Sequence, residues 1–198
     1  IENENTHVIC CLNTDRICLF TDAGVLHQVK VTDIPLGKLR DKGTPIDNLC
    51  KFDGTKEQTV FVTNASSLQG KLFLFATRDA MLKRVPGEEF ETNNRMVAAT
   101  KLQEGDSLVS VQPADEASEV VLQTDNGVFL RFAMDEISVQ KKNARGVRGI
   151  KLGRGEALEQ VYLLGANTES VITYKEKQVH LNRLKQGRRD GKGNKVRL

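Results

Sequence analysis

Residues 119–134 read EVVLQTDNGVFLRFAM. Two apolar runs rich in β-branched and aromatic residues flank Asp125-Asn126-Gly127-Val128, and Asn126 with Gly127 suits the positive φ angles of a two-residue hairpin turn. The stretch therefore predicts a β-hairpin. Three other segments share its pattern: RICLFTDAGVLHQVKV at 16–31, KLFLFATRDAMLKRV at 71–85 and ESVITYKEKQVHLNRL at 169–184. In the first of these, Ala23-Gly24 takes the place of Asn126-Gly127.

After each hairpin comes a polar, often basic loop and a short strand that closes on a leucine: LRDKGTPIDNL, TNNRMVAATKL, NARGVRGIKL and RRDGKGNKVRL. The closing residues Leu49, Leu102, Leu152 and Leu198 lie 53, 50 and 46 residues apart, which divides the chain into repeats at about 6–52, 58–105, 106–155 and 156–198 within one domain. Repeats of that length made only of strands indicate propeller blades, small antiparallel sheets that must stack on one another to bury their faces. Helical repeats would need a 3.6-residue period, and a β-sandwich would leave the recurrence unexplained. The expected fold is all-β, a propeller-like array of about four blades with almost no helix. Gly43, Arg95, Gly146 and Gly191 mark the loops by which the chain leaves one sheet for the next.

The chain has 198 residues, 39% of them hydrophobic, enough for a sizeable core. No apolar run approaches the roughly 20 residues of a membrane-spanning helix. The start, IENENTHVICC, has neither an initiator Met nor a signal-peptide pattern, so the chain reads as a piece of a longer cytosolic protein. Cys10, Cys11, Cys18 and Cys50 lack the paired spacing of a zinc site and read as reduced thiols.

Net charge is +3, but its distribution is uneven. Residues 137–198 carry fifteen Lys or Arg against five Asp or Glu, while residues 1–136 carry fourteen against twenty-one. Such polarity suggests a polyanionic partner, and the acidic remainder discourages indiscriminate adhesion. The candidate contacts in the third repeat are Lys141, Lys142, Arg145, Arg148, Lys151 and Arg154. In the fourth they are Arg183, Lys185, Arg188, Arg189, Lys192, Lys195 and Arg197, and Lys38, Arg40 and Lys42 extend the path more weakly in the first. Lys and Arg would contact phosphates, helped by glycine amides close to the oxygens. As exposed charges they should be removable with little loss of stability: Arg145 with Arg148, or Arg188 with Arg189. An acidic protein surface is the alternative partner for the same loops.

The repeat texture, together with NARGVRGIKLGRGE, TDAGVLHQVKVTDIP, RLKQGRRDGKG and TKLQEGDSLVSV, resembles the C-terminal domain of the A subunit of bacterial type II topoisomerases, DNA gyrase and topoisomerase IV. The resemblance runs from about Thr6 to Leu198 and leaves gyrase and topoisomerase IV unseparated. It implies a β-pinwheel, a ring of blades that exchange strands, with duplex DNA bent around a basic outer edge. It also implies a cytoplasmic, nucleoid-associated bacterial enzyme whose ATP and magnesium are used outside this chain. The implied partners are duplex DNA, the ATPase subunit, plus the rest of the A subunit itself, with no membrane. Gyrases carry a Gln-Arg-Arg-Gly-Gly-Lys-Gly box in the first blade, and this chain begins after its expected place. In the last repeat, QGRRDGKG resembles the box through Gln186, Arg188, Arg189, Gly191, Lys192 and Gly193, but Gly187 and Asp190 depart from it.

No catalytic residue is expected in this chain. GRRDGKG has three residues between its glycines where a phosphate loop has four, and Gly193 stands where a magnesium-binding Ser or Thr is needed. The family cleaves DNA with a tyrosine beside an arginine in another domain, whereas Tyr162 and Tyr174 lie in apolar strand patterns and read as core. His7, His27 and His180 lie far apart with no ligand spacing, so no metal is expected.

Overall fold

A computed structural model describes residues 7–38 and 40–196. Among them there are fourteen strands, short 3-10 turns and no α-helix. The first hairpin is β1 (Arg16–Thr21) and β2 (Val25–Lys30), followed by β3 (Thr59–Asn64). The second is β4 (Leu72–Thr77) and β5 (Met81–Pro86), followed by β6 (Met96–Ala98) and β7 (Leu108–Pro113). The third is β8 (Glu119–Thr124) and β9 (Val128–Ala133), followed by β10 (Val147–Arg148) and β11 (Leu158–Leu164). The fourth is β12 (Val171–Tyr174) and β13 (Lys177–His180), followed by β14 (Asn194–Lys195).

Each four-stranded sheet takes one edge strand from the segment that follows the next hairpin. The orders are β3-β1-β2-β6, β10-β5-β4-β7 and β11-β8-β9-β14, all antiparallel. The segment after hairpin two thus closes blade one, the segment after hairpin three closes blade two, and the segment after hairpin four closes blade three. These segments are called crossovers below. Of the four expected exchanges, three occur, through Arg95, Gly146 and Gly191; the stretch around Gly43 forms no strand. The array is accordingly three four-stranded blades and a fourth hairpin, β12–β13, that pairs with no other described strand.

Stacking accounts for the apolar runs. In β4, Phe73 and Phe75 face blade one, where Phe75 packs with Phe20 and Phe90 at ring-centroid distances of 5.9 and 5.5 Å. Leu74 and Ala76 face blade three and meet Leu122, Phe132, Ile150 and Leu158. Both faces of the strand are buried, so the pattern is continuous rather than alternating. Beyond blade three, Val121, Phe129 and Leu164 pack on Val179 and Leu181 of the fourth repeat.

The turns depart from expectation in one respect. Gly127 is left-handed (φ 73°) and donates its N–H to Thr124 O at 2.9 Å, but Asn126 is not at positive φ. This is the longer hairpin turn that ends on one left-handed residue. Gly24 (φ 72°) and Ala80 (φ 60°) hold the same place in hairpins one and two. The turn with two residues at positive φ occurs in the fourth hairpin instead, at Lys175 (46°) and Glu176 (65°).

Candidate nucleic-acid interface

The third and fourth crossovers run along their recipient strands in one register. Val139 bridges Arg84, Val147 pairs with Leu82 and Arg148 with Met81. Forty-seven residues on, Gln186 bridges Arg131, Asn194 pairs with Phe129 and Lys195 with Val128. That constant offset makes Lys141 equivalent to Arg188, Lys142 to Arg189, Arg145 to Lys192 and Arg148 to Lys195. Four cation positions therefore recur on adjacent blades. Counted from the 3-10 turns that open the crossovers at Val31 and Met134, Lys38 and Lys42 fall in step with Lys141 and Arg145. The second crossover keeps one of the four, Arg95, which pairs with Asp33 at 3.4 Å.

The two basic crossovers are also joined. Lys151 donates its N–H to Gly191 O (2.9 Å), Asp190 donates its N–H to Gly149 O (2.7 Å), and Arg189 Nη1 reaches Arg148 O (2.8 Å). Arg148 forks onto Asp190, with Nε–Oδ1 at 2.5 Å and Nη2–Oδ2 at 2.9 Å. The Arg148 guanidinium hydrogen-bonded to Asp190 holds that carboxyl below its ordinary value. The acid that interrupts QGRRDGKG is thus a tie between two repeats.

Of the expected contacts, Lys141, Arg145, Arg148, Lys151, Arg154, Arg183, Lys185, Arg188, Lys192 and Lys195 are exposed, and Lys142 and Arg189 are half-buried. Arg183 stands apart from the joined stretch, bonded to Glu169 at 3.1 Å beside a polar cavity that also exposes Glu119 and Arg131. Lys38, Arg40 and Lys42 are exposed on the first crossover, which pairs with no described strand. Arg197 lies outside the described residues.

One expectation is corrected. Four of the crossover glycine amides are not free for phosphate: Gly146 donates to Gln140 Oε1, Gly149 to Ala80 O, Gly187 to Arg131 O and Gly191 to Arg188 O. These glycines serve close packing. A Cβ on Gly149 would lie 2.5 Å from Leu82 Cδ1 and 2.7 Å from Leu122 Cδ1. The arginines, too, are not uniformly loose surface charges. Arg145 Nη2 bonds Gln103 Oε1 at 2.5 Å, and Arg189 Nη1 bonds Arg148 O at 2.8 Å. Arg145, Arg148 and Arg189 thus have side-chain partners in neighbouring loops, whereas Lys141 and Arg188 make no side-chain bond among the described contacts.

Sequence reading missed the cations that support the crossovers. Arg16 Nη1 donates to Thr92 O (2.6 Å), Arg84 Nε to Ile137 O (2.6 Å), and Arg131 Nη1 to Asn182 O (2.5 Å) and Leu184 O (3.0 Å). Each fastens one crossover to its recipient blade. The signal was available: Arg84 and Arg131 are both fourth after the left-handed turn residue.

Tyr162 donates its hydroxyl to Gln123 Oε1 at 2.8 Å, and Tyr174 packs edge-on to Phe129 at 5.5 Å, both half-buried as core-facing residues. Cys10 and Cys11 are exposed, Cys18 buried and Cys50 half-buried, all as free thiols. Among the described residues no three His, Cys, Asp or Glu side chains are grouped to hold a metal ion, and no helix is long and apolar enough to cross a membrane.

The family model described as DNA gyrase C-terminal domain, beta-propeller, matches residues 71–115 and 118–164. The A subunit of DNA gyrase from Lawsonia intracellularis is 32% identical over 157 residues, which is 79% of this chain and 19% of the relative. That of Deinococcus deserti is also 32% identical over 157 residues, covering 78% of this chain and 19% of the relative. The chain thus spans about a fifth of the length of these relatives. In structure it resembles the C-terminal domain of DNA topoisomerase IV, with TM-score 0.85 and 25% identity over 93% of this chain and 59% of that one. It also resembles the E. coli ParC C-terminal domain, with TM-score 0.75 and 18% identity over 94% of this chain and 78% of that one.

Proposed function

We propose that this chain, which carries repeats of the DNA gyrase C-terminal domain family, is a non-catalytic module that binds and bends duplex DNA along the joined third and fourth crossovers. The observation that supports this reading is the register of Lys141, Lys142, Arg145 and Arg148 with Arg188, Arg189, Lys192 and Lys195. Cations repeated at one place on successive blades follow a path, and a path of positive charge suits the phosphate backbone of a duplex. Stacking on single strands is disfavoured, because seven of the eight Phe and both Tyr pack in the core clusters.

In the whole protein the module presents bent DNA to the cleaving core of a bacterial type II topoisomerase, acting with the rest of the A subunit, together with the ATPase subunit that consumes ATP. This places it in the cytoplasm, at the nucleoid. The candidate contacts are Lys141, Lys142, Lys151, Arg154, Lys185, Arg188, Lys192 and Lys195, with Arg145, Arg148 and Arg189 shared between DNA and loop structure. Contacts of this kind carry no base code, so preference among sequences comes from ease of bending.

The test is fluorescence anisotropy of the chain with plain duplex DNA across a salt series, with end-to-end energy transfer in the duplex to read bending. Binding that weakens steeply with salt, together with shortened DNA, supports the reading. Failure to bind duplex at low salt, with retention of an acidic protein surface, would favour an interaction propeller instead.

A further inference from the structure

We propose that Lys83, which lies beneath the rim and not on it, is a positioning residue that sets the basic crossover of the third repeat for DNA, an assignment that rests on the DNA-binding reading above. Lys83 is third after the left-handed turn residue Ala80, where the first and third hairpins carry His27 and Leu130. Its side chain is buried at 3% exposure. The ammonium donates to Lys142 O and, at 2.7 Å, to Ala144 O. Those carbonyls lie between Lys141 and Arg145 along the chain, so one buried donor pins the stretch that presents Lys141, Lys142 and Arg145.

The surroundings form a cage around this donor. Phe75, paired with Lys83 across the hairpin, has its ring centroid 6.0 Å from Nζ. Glu89, on the turn after β5, faces Lys83 and also accepts the Lys142 N–H at 3.2 Å. Lys142 and Ala144 face it from the crossover. Burial pushes the Lys83 ammonium down to about 8, against an opposing pull from Glu89.

A buried charge is a costly way to fill space, and an apolar residue of similar volume does so with less penalty, as Leu130 does one repeat later. What the ammonium adds is attachment of the loop. The fourth crossover is fastened instead through Arg131, which donates to the carbonyls of Asn182 and Leu184 much as Arg84 donates to that of Ile137 in the third. Loops ordered before binding lose less freedom when they meet DNA, which raises affinity without any new contact.

The experiment compares wild type, Lys83→Met and Lys142→Ala of the full chain with plain duplex DNA over a salt series at neutral pH. Loss of bonds to a charged donor should weaken duplex binding by Lys83→Met about tenfold. Its salt slope should stay that of wild type, because no phosphate contact is removed, and its melting temperature should hold or rise. Lys142→Ala should instead lower the slope by about 0.9. Hydrogen exchange should show the amides of 142–146 opening faster in Lys83→Met alone.

Wild-type affinity should also fall as pH rises through about 8, a profile that Lys83→Met flattens. That arm decides the matter even where the variant folds poorly, since a flat wild-type profile overturns the assignment. Wild type that binds duplex while Lys83→Met binds equally well overturns it alone. Wild type that binds no duplex overturns the DNA-binding reading and this assignment together.

Discussion

Arg148 in the third crossover and Asp190 in the fourth form a two-pronged ion pair, 2.5 and 2.9 Å between donors and acceptors, across the boundary between two repeats. Asp190 is held in the left-handed region (φ 63°), where glycine is the unstrained residue. The pair thus joins the crossovers but withdraws one cation from the rim. Asp190→Gly should free Arg148, relax the backbone and raise duplex affinity about threefold to tenfold, with the salt slope steeper by about 0.9. Anisotropy titrations check this, and weakened binding would show that Asp190 orders the rim more than it masks it.

Asp15 anchors blade one. Burial would raise its pKa, but hydrogen bonds from Asn64 and Ser66 side chains and from the Arg16 and Ser66 amides bring it below the ordinary 3.8. Its Oδ2 accepts from Asn64 Nδ2 and Ser66 Oγ, each at 2.7 Å. A folded pKa below the unfolded one means that stability from Asp15 is complete above about pH 4 and is lost as pH falls through the folded value. Asp15→Ala should cost about 2–3 kcal/mol at neutral pH, because the amide of Asn64 is left buried without its acceptor. Denaturant melts at neutral and acid pH should show the variant's deficit shrinking in acid.

Gly149 lies where a Cβ would collide with Leu82 and Leu122 at 2.5 and 2.7 Å. Gly149→Ala should therefore destabilise by about 1–3 kcal/mol through overpacking. Gly153→Ala, at an exposed position near the Glu156 carboxylate, should cost less. Thermal melts of the two variants check the contrast, and equal losses would mean that the core around Leu82 yields freely.

The hairpins and their stacking were legible because β-strands of four to six residues and their turns leave a clear pattern. The direction of exchange was not. Val147–Arg148 and Asn194–Lys195 are strands of two residues, too short to show a period, and their partners lie one repeat back. Asn126-Gly127 pointed to the correct hairpin but to the wrong turn, while Lys175-Glu176 adopts the expected turn without its usual residues. The basic crossovers were visible as a charge imbalance, but charge alone did not separate Arg131, 17% exposed and bound to Glu119 and two carbonyls, from Arg188 in open solvent. Burial decides that difference, and only the assembled blades reveal it.

The most direct test is the slope of log affinity against log salt for duplex binding by wild type, Lys141→Ala, Arg188→Ala and the double variant. These two residues hold equivalent places on adjacent blades. Each substitution should lower the slope by about 0.9 and the pair by about 1.8, with weaker binding to all sequences alike and unchanged melting temperatures. Identical slopes and affinities for all four proteins would contradict the assignment of these crossovers as the DNA-binding rim.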